Sequence, residues 1–206
     1  MKGLYKSVLS LAASAALLFT GITSVTATAE SKVMVGYPVY MQSGNNCWAY
    51  SILSMSNYLT GKGYPIEYVY SAYKPVTGNT YVYGAGANLD ECYGVINYLL
   101  SSYSPTKIND DMAFSLVKSK VNASLPSLIG GYYYGNPGSV TGHAVVLIGY
   151  GDWTNSDGSR DASIYYMDPA TGAIENYPYN TNATTQFFRS GSHILNWSNA
   201  GSVYLN

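Results

Sequence analysis

The apolar pattern of the chain changes at Pro126, from helical spacing before this residue to short strands after it. Ahead of Pro126, apolar side chains recur every three or four residues, which is the period of an amphipathic helix. After Pro126, short runs rich in β-branched and aromatic residues are separated by turn residues, which is typical of strands. A helix-rich first half followed by a sheet-rich second half predicts an α+β fold.

Four helices are predicted before Pro126, each from a recognisable start signal. The Cys47 helix should end near Gly61 and Gly63, and Asn88 with Glu91 three residues later forms a capping box. The last helix is predicted from an Asn109 cap, with Asp110 and Asp111 in its first turn as the macrodipole favours. The helix starts are Cys47, Pro65, Asn88 and Asn109, and the predicted strands span residues 127–134, 143–150, 163–168, 173–177 and 202–205.

The N-terminal segment has the pattern of a secretory signal. Lys2 and Lys6 precede an apolar stretch over residues 8–19, and Ala27-Thr28-Ala29 supplies the small residues of a cleavage site. We therefore expect residues 1–29 to be a signal peptide and residues 30–206 to form one secreted domain, from a Gram-positive bacterium. The remaining chain is slightly acidic and lacks a basic patch or a later membrane span, which excludes nucleic acid and membrane as expected partners.

Cys47 is the candidate nucleophile, because it falls in the first turn of a predicted helix. Unpaired N–H groups there carry partial positive charge and favour a thiolate, and a nearby imidazolium would add to this effect. Gln42, just upstream, carries a side-chain amide that can donate to a developing oxyanion. Together with the Cys47 backbone N–H it would form the two-donor hole that acyl transfer needs.

His143 is the candidate general base. It directly precedes the apolar run 144–148, which ends at Gly149. This run predicts a buried central strand with a polar residue at its start. A third group should hold the imidazole in the correct tautomer. Asp168 is the first candidate, because a strand ends there and Pro169 forces a turn; Asp152 and Asn155 are the alternatives. His193 is expected at a turn or on the surface.

These segments resemble the papain-like cysteine peptidases, and more closely their compact bacterial branch, similar to the C39-like peptidases that cleave bacteriocin leaders. His143 follows Cys47 by 96 residues, well short of the roughly 130 to 150 of papain and cathepsins, which favours the compact branch. The matching segments are Gln42, Cys47-Trp48-Ala49, Gly142-His143-Ala144 with Gly149-Tyr150, and Asp168-Pro169.

The resemblance implies a papain-like fold, in which an N-terminal helical lobe and a C-terminal antiparallel sheet lobe meet at a cleft that binds a peptide or protein. It implies a Cys47, His143 and Asp168 triad with Gln42 as oxyanion donor, and no metal or organic cofactor. Gly84 and Gly86 stand where such enzymes pair substrate backbone, and Trp48 is a further substrate-binding candidate. An ordinary flexible loop is the alternative for the two glycines. We expect a monomer.

The implied function is a secreted cysteine peptidase that hydrolyses peptide or isopeptide bonds through an acyl-enzyme. Two alternatives remain: acyl transfer of the transglutaminase or amidase type with the same triad, and a non-catalytic module that binds cell wall or a host protein. Twelve residues separate the predicted cleavage site from Gln42, too few for an inhibitory pro-domain. Control is therefore expected from a narrow substrate requirement, a separate inhibitor or the redox state of Cys47.

Two further patterns have structural interpretations. A Cys47–Cys92 disulfide is the alternative to a catalytic thiol, since paired cysteines are common in secreted proteins. Asp157, Ser159 and Asp161 alternate as calcium ligands do, but the distal glutamate of such loops is missing, so a hairpin tip is expected there.

Overall fold

The structure is a computed structural model that describes residues 27–133 and 142–206. Most of the predicted signal segment, residues 1–26, lies outside the described residues, as does Tyr134 at the end of a predicted strand. Residues 27–29 are described, and none of the described helices is long and apolar enough to cross a membrane.

The helices lie in the first half of the chain, as predicted. The first helix ends where Gly61 adopts a left-handed conformation (φ 65°) and its N–H donates to the Asn57 carbonyl over 3.0 Å. Glycine adopts this conformation without the clash that a Cβ would cause. The helices are α1 (Cys47–Thr60), α2 (Ile66–Thr77), α3 (Leu89–Leu99) and α4 (Phe114–Asn122), with a 3₁₀ turn at Ser101–Tyr103.

The capping box predicted for α3 is present. The Asn88 side chain accepts from the Glu91 backbone N–H, and the Glu91 carboxylate accepts from the Asn88 N–H, both over 2.9 Å. Two N–H groups that the helix leaves unpaired are thereby satisfied.

The predicted start of α4 is wrong. The helix begins at Phe114 instead of after an Asn109 cap. The two aspartates instead lie in a loop that contacts the C-terminal part of the chain: the Ser198 hydroxyl donates to the Asp111 carboxylate, and the Ser202 hydroxyl donates to the Asp110 carbonyl over 3.1 Å. These tertiary hydrogen bonds override the local preference for acidic residues in a first helical turn.

The strands that the structure describes form one antiparallel sheet around a long central strand. They are β1 (Thr28–Val33), β2 (Thr106–Ile108), β3 (Ser127–Tyr133), β4 (Gly142–Thr154), β5 (Arg160–Asp168), β6 (Ala173–Pro178), β7 (Phe187–Ser190), β8 (His193–Asn196) and β9 (Ser202–Tyr204). The order is β2-β9-β3-β4-β5-β6, with β1 on β4 and the β7–β8 hairpin on β3. Helices that all lie before Pro126 and a large antiparallel sheet formed mainly after it give the predicted α+β fold.

Four strands were not predicted: β1, β2, β7 and β8. β1 is polar and largely exposed, β2 has three residues, and β7 and β8 have four each. Segments this short and polar carry little periodic signal. His193 is exposed as expected, but it begins β8 instead of lying in a turn.

One edge of β4 is shared by two strands. β3 pairs with it from Gly142 to Leu147 and β1 pairs with it from Gly149 to Thr154, while β5 runs along the other edge. The pairing with β5 shifts register between Leu147 and Gly149, which marks a β-bulge. Gly149 of β4 therefore lies between Val33 of β1 and Tyr165 of β5, next to the bulge.

Helix α1 packs against β4 and is buried on most of its surface. Trp48, Ile52 and Met55 are each at most 1% exposed. The buried Ser51 hydroxyl donates to the Ala144 carbonyl of β4 over 3.1 Å. The helix start and the strand start are thereby held side by side, and the residues predicted as nucleophile and base stand at these two starts.

Gly149→Ala should destabilise the fold, because a Cβ there would lie 2.7 Å from the Lys32 carbonyl and 3.0 Å from the Tyr165 Cβ. We expect a loss of about 1–3 kcal/mol in the free energy of unfolding, the range for overpacking, measured by urea denaturation. Gly63→Ala is the matched control, since a Cβ at that position meets nothing within 4 Å. Equal unfolding free energies for the two variants would contradict the packing argument.

Candidate active site

Cys47, His143 and Asp168 meet where α1, β4 and β5 come together. His143, the second residue of β4, is 6% exposed, and Asp168, the last residue of β5, is fully buried. The His143 Nε2 lies 2.7 Å from Asp168 Oδ1. Because Nε2 faces the carboxylate, Nδ1 is the ring nitrogen left for Cys47, whose thiol lies close enough to His143 for each group to shift the pKa of the other. The three predicted residues thus form a connected chain.

The charges of this chain support one another. Burial alone would raise the pKa of the Cys47 thiol, but the hydrogen bond and charge of His143, and the backbone at Ala144 and Trp48, lower it below its ordinary value. Burial alone would lower the pKa of His143, yet its bonds to Asp168 and Cys47 raise it to about 9. Opposite shifts of this kind favour a thiolate–imidazolium pair.

Asp168 is fixed by the turn that follows β5. Burial alone would raise its pKa, but the hydrogen bond and charge of His143 keep it below the ordinary value. The Ala170 N–H donates to Asp168 Oδ1 over 2.8 Å, and the Gly172 N–H donates to the Asp168 carbonyl over 2.9 Å. An ionised and immobilised carboxylate is what orients a catalytic imidazole.

Gln42 is tied to this same turn. Its backbone N–H donates to the Pro169 carbonyl over 2.7 Å, which joins the segment before α1 to the residue after Asp168. Its side-chain Nε2 donates one hydrogen to the Gly44 carbonyl over 2.7 Å. An amide nitrogen carries two hydrogens, so the second remains available to a ligand in the cleft.

The first turn of α1 supplies further donors. The Ala49 and Tyr50 N–H groups donate to the Asn46 carbonyl over 3.0 and 3.1 Å. The N–H groups of Cys47 and Trp48 precede them and have no helical acceptor. The Cys47 N–H can therefore stabilise an oxyanion beside the thiolate.

A cleft of about 570 Å³ opens at the triad. Gln42, Cys47, His143, Gly84 and Gly86 contribute to its walls. A Cβ at Gly84 or Gly86 would meet nothing within 4 Å. The two glycines therefore leave room for an extended chain to approach their backbone.

Trp48 has a supporting position instead of an exposed one. It borders the cleft but is only 1% exposed. Its indole N–H donates to the Ala85 carbonyl over 3.2 Å, and its ring packs on Tyr73 and Tyr81. The side chain thus holds the segment between the two glycines.

The Cys47–Cys92 disulfide considered from the sequence is not formed, since both cysteines are free thiols. Cys92 is buried in α3 and borders the same cleft. Burial and the charge of Cys47 raise its pKa well above that of an ordinary thiol. Cys92 is therefore a protonated, unreactive thiol beside a reactive one.

The alternative orienting residues lie elsewhere. Asp152 accepts from Lys118 over 2.8 Å and from Arg160 over 2.6 Å. Asn155 and Asp157 shape the β4–β5 hairpin tip, where Asp157 accepts from the Ser159 N–H over 2.8 Å. No group of three or more candidate metal ligands occurs among the residues described by the structure.

Asn46 and Tyr133 are two further neighbours of the site. Asn46 is fully buried immediately before Cys47. Burial, with the charges of Cys47 and Asp168, raises the pKa of Tyr133, and its ring packs edge-on against His193. The position of Asn46 ahead of a helix predicts an N-cap. Tyr133 belongs to a run of three tyrosines, residues 132–134, for which the sequence allows either a place in a cleft or ordinary packing, and in the structure Tyr133 lines the cleft.

The chain is similar to known proteins in sequence and in fold. Residues 28–184 match the family described as "Papain-like cysteine protease AvrRpt2". No curated protein sequence matches the chain. The fold is similar to the crystal structure of a candidate C39-like peptidase from Bacillus anthracis, with a TM-score of 0.56 and 15% identity, over 86% of this chain and 98% of that one. At this identity the likeness concerns the fold alone.

Iodoacetamide should alkylate Cys47 in the folded protein at mildly acidic pH, where an ordinary thiol with a pKa of about 8.5 is protonated. The reason is the lowered pKa that His143 gives to Cys47. Peptide-mapped mass spectrometry from about pH 4 to pH 9 measures this, with Cys92 as the internal control that reacts only after unfolding. His143→Ala should move the Cys47 midpoint upward. Labelling of Cys47 only near the ordinary pKa would contradict the ion pair.

Proposed function

Because the chain belongs to the papain-like cysteine protease family described as AvrRpt2, it is a cysteine-type peptidase, and we propose that it cleaves peptide bonds through a Cys47, His143 and Asp168 triad. The observation that carries this proposal is the 2.7 Å contact between His143 Nε2 and Asp168 Oδ1. That contact leaves Nδ1 for the thiol and fixes the imidazole for proton transfer.

In the first step the Cys47 thiolate attacks the substrate carbonyl carbon, and the carbonyl oxygen becomes an oxyanion. The free hydrogen of Gln42 Nε2 and the Cys47 backbone N–H donate to this oxyanion. The His143 imidazolium then gives its Nδ1 proton to the leaving amine, and the carbon–nitrogen bond breaks. A thioester on Cys47 and a neutral imidazole remain.

In the second step a water molecule attacks the thioester. His143 Nδ1 takes a proton from this water, and the thiolate leaves as the new carboxyl group forms. Asp168 stays ionised and hydrogen-bonded to Nε2 throughout, so the imidazole returns to the same orientation. These steps require no group beyond the chain's own residues and water.

The walls of the cleft favour an uncharged substrate. Leu89, Cys92, Leu128 and Ala200 line it, together with glycines of β3. Glu91 also borders it, but its carboxylate already accepts from the Tyr73 hydroxyl over 2.7 Å and from the Asn88 N–H. We infer a preference for apolar side chains, because a charged one would lose hydration without gaining a partner.

The secreted form is proposed to begin at Glu30, after removal of the signal peptide. The Glu30 carboxylate accepts from the Lys118 ammonium over 2.5 Å and from the Tyr150 hydroxyl. These bonds would keep the shortened β1 on β4 after the loss of Thr28 and Ala29. N-terminal sequencing of protein recovered from the culture medium tests the proposal. A mature chain that begins after Val33, and so lacks β1, would refute it.

Cys47→Ala should abolish cleavage of quenched fluorogenic peptides, with a decrease of more than about a thousandfold in kcat, as for other nucleophile deletions. Ser56→Ala is the matched control, because it removes a buried hydroxyl without a partner from the same helix. Acid quenching of the unmodified protein should trap a peptide fragment on Cys47. Full activity of Cys47→Ala would end the proposal, and product formation only with an added amine would favour acyl transfer.

Activity should show a bell-shaped dependence on pH. It should rise as pH passes the lowered pKa of Cys47 and fall as pH passes the raised pKa of His143, near 9. Asp168→Asn removes a charge that raises the His143 pKa, so the alkaline limb should move to lower pH. Asp161→Asn, at the opposite end of β5 from Asp168, is the control that should leave the profile unchanged. An unmoved alkaline limb in Asp168→Asn would refute the role of Asp168.

A further inference from the structure

Asn46 connects two loops that border the cleft. Its side chain is fully buried. The amide Nδ2 donates to the Ser43 carbonyl over 2.5 Å, within the segment that carries Gln42. The amide Oδ1 accepts from the Gly84 N–H over 3.2 Å and from the Tyr81 hydroxyl, both in the segment that carries the two cleft glycines. We call residues 42–46 the oxyanion segment and residues 81–86 the glycine segment. One side chain, that of Asn46, thus joins these two segments.

Asn46 does not serve the helix that follows it. An asparagine before a helix normally accepts a hydrogen bond from the second or third helical N–H. Asn46 makes no such side-chain bond to α1. Its side chain is directed instead to residues 35 and 38 positions further along the chain. A tertiary role has replaced the usual local one.

Tyr81 is held rigidly as the partner of Asn46. Its ring stacks on Tyr70, with centroids 4.4 Å apart, and meets Trp48 edge-on at 5.5 Å. Burial raises the pKa of Tyr81, so its hydroxyl stays a neutral donor to Asn46. Trp48, directly after the nucleophile, also fixes the Ala85 carbonyl. Asn46 and Trp48, which flank Cys47, thus both make polar contacts to the glycine segment. A third, exposed contact joins the same two segments, in which the Tyr83 hydroxyl donates to the Ser43 hydroxyl over 2.6 Å.

The oxyanion segment is anchored at both of its ends. At Gln42 the backbone is bonded to Pro169, and at Asn46 the side chain is bonded to Tyr81 and Gly84. Between them, Gly44 adopts a left-handed conformation (φ 66°), and its carbonyl accepts from the Gln42 side chain. Loss of the Asn46 side chain would remove the buried link to the glycine segment and leave only the exposed Tyr83–Ser43 hydroxyl contact near Gln42.

We infer that Asn46 and Tyr81 form a clamp that holds the oxyanion donors and the glycine segment as one unit, so that Asn46 is a positioning residue for acyl transfer. This inference rests on the proposed function. Stabilising an oxyanion depends on donors that are already in place, whereas alkylation of the thiolate by iodoacetamide does not form one. The clamp therefore predicts that turnover and thiolate reactivity respond differently to its removal.

The test uses four variants of the full chain: Asn46→Ala, Tyr81→Phe, the double variant, and Tyr103→Phe as matched control. Tyr103 also donates its hydroxyl to a backbone carbonyl of the helical lobe, Leu59 over 3.1 Å, but at the opposite end of α1. The readouts are kcat and KM on a quenched fluorogenic peptide that the unmodified protein cleaves, and the rate of Cys47 alkylation by iodoacetamide across pH. Urea unfolding reports the stability of each variant.

Asn46→Ala and Tyr81→Phe should each lower kcat by roughly 10- to 100-fold, the scale of a small misplacement of reacting groups. The pH dependence and rate of Cys47 alkylation should stay within about twofold of the unmodified protein. The double variant should lose little more than Asn46→Ala alone, because both substitutions break the same contact. Tyr103→Phe should keep its kcat.

Two results would overturn the clamp. Unchanged kcat in Asn46→Ala and Tyr81→Phe would show that the two residues only fill space. A parallel loss of kcat and of Cys47 alkylation would show that they support the thiolate or the fold instead of the oxyanion site. Absence of any turnover by the unmodified protein would refute the proposed function itself, which separates the two failures.

Discussion

The packing of α1 against β4 is the contact on which the rest of the site depends. Cys47, the proposed nucleophile, is the first residue of the helix, and His143 is the second residue of the strand. The Ser51 hydroxyl bonds to the carbonyl of Ala144, directly after His143. Since this bond is buried, it is not exchanged for water, and losing it would leave a polar group unpaired in the core. The distance between thiol and imidazole is therefore set by the core.

Starting from this contact, a series of short connections through β5 and the turn after Asp168 leads back to α1 and fixes the geometry of the site. β4 pairs with β5, β5 ends at Asp168, and the turn after Asp168 accepts the Gln42 N–H, which leads back to α1. Every member of the triad is substantially buried, and burial opposes the charge on each of them. The charged forms of these groups therefore depend on their mutual contact.

The candidate site residues stand at positions that local sequence signals mark, whereas only part of the sheet was predicted. Cys47, His143 and Asp168 stand at boundaries that local signals mark, namely a helix start, a strand mouth and a strand end before proline. The start of α4 could not be read locally, because Asp110 and Asp111 bond to serines near the C-terminus. β1 owes its strand form to pairing with β4 instead of to its own polar sequence.

The same limit applies to Asn46 and Trp48. An asparagine before a helix is expected to cap it, and a tryptophan beside a catalytic cysteine is expected at the substrate. In the structure both side chains face the glycine segment, which is distant in sequence. Tertiary packing decides which of several possible partners a polar side chain binds. Local signals in a single sequence do not contain that information.

The two ends of the described chain give the fold a mechanical property. β1, which leads into the helical half, is paired with β4 of the sheet, and β2 of the helical half is paired with the C-terminal β9. The Asn206 N–H also donates to the Tyr103 carbonyl over 2.8 Å. The helical half is thus paired with the sheet near both ends of the described chain. A movement that separates the two halves would work against these backbone hydrogen bonds, so they restrain the width of the cleft.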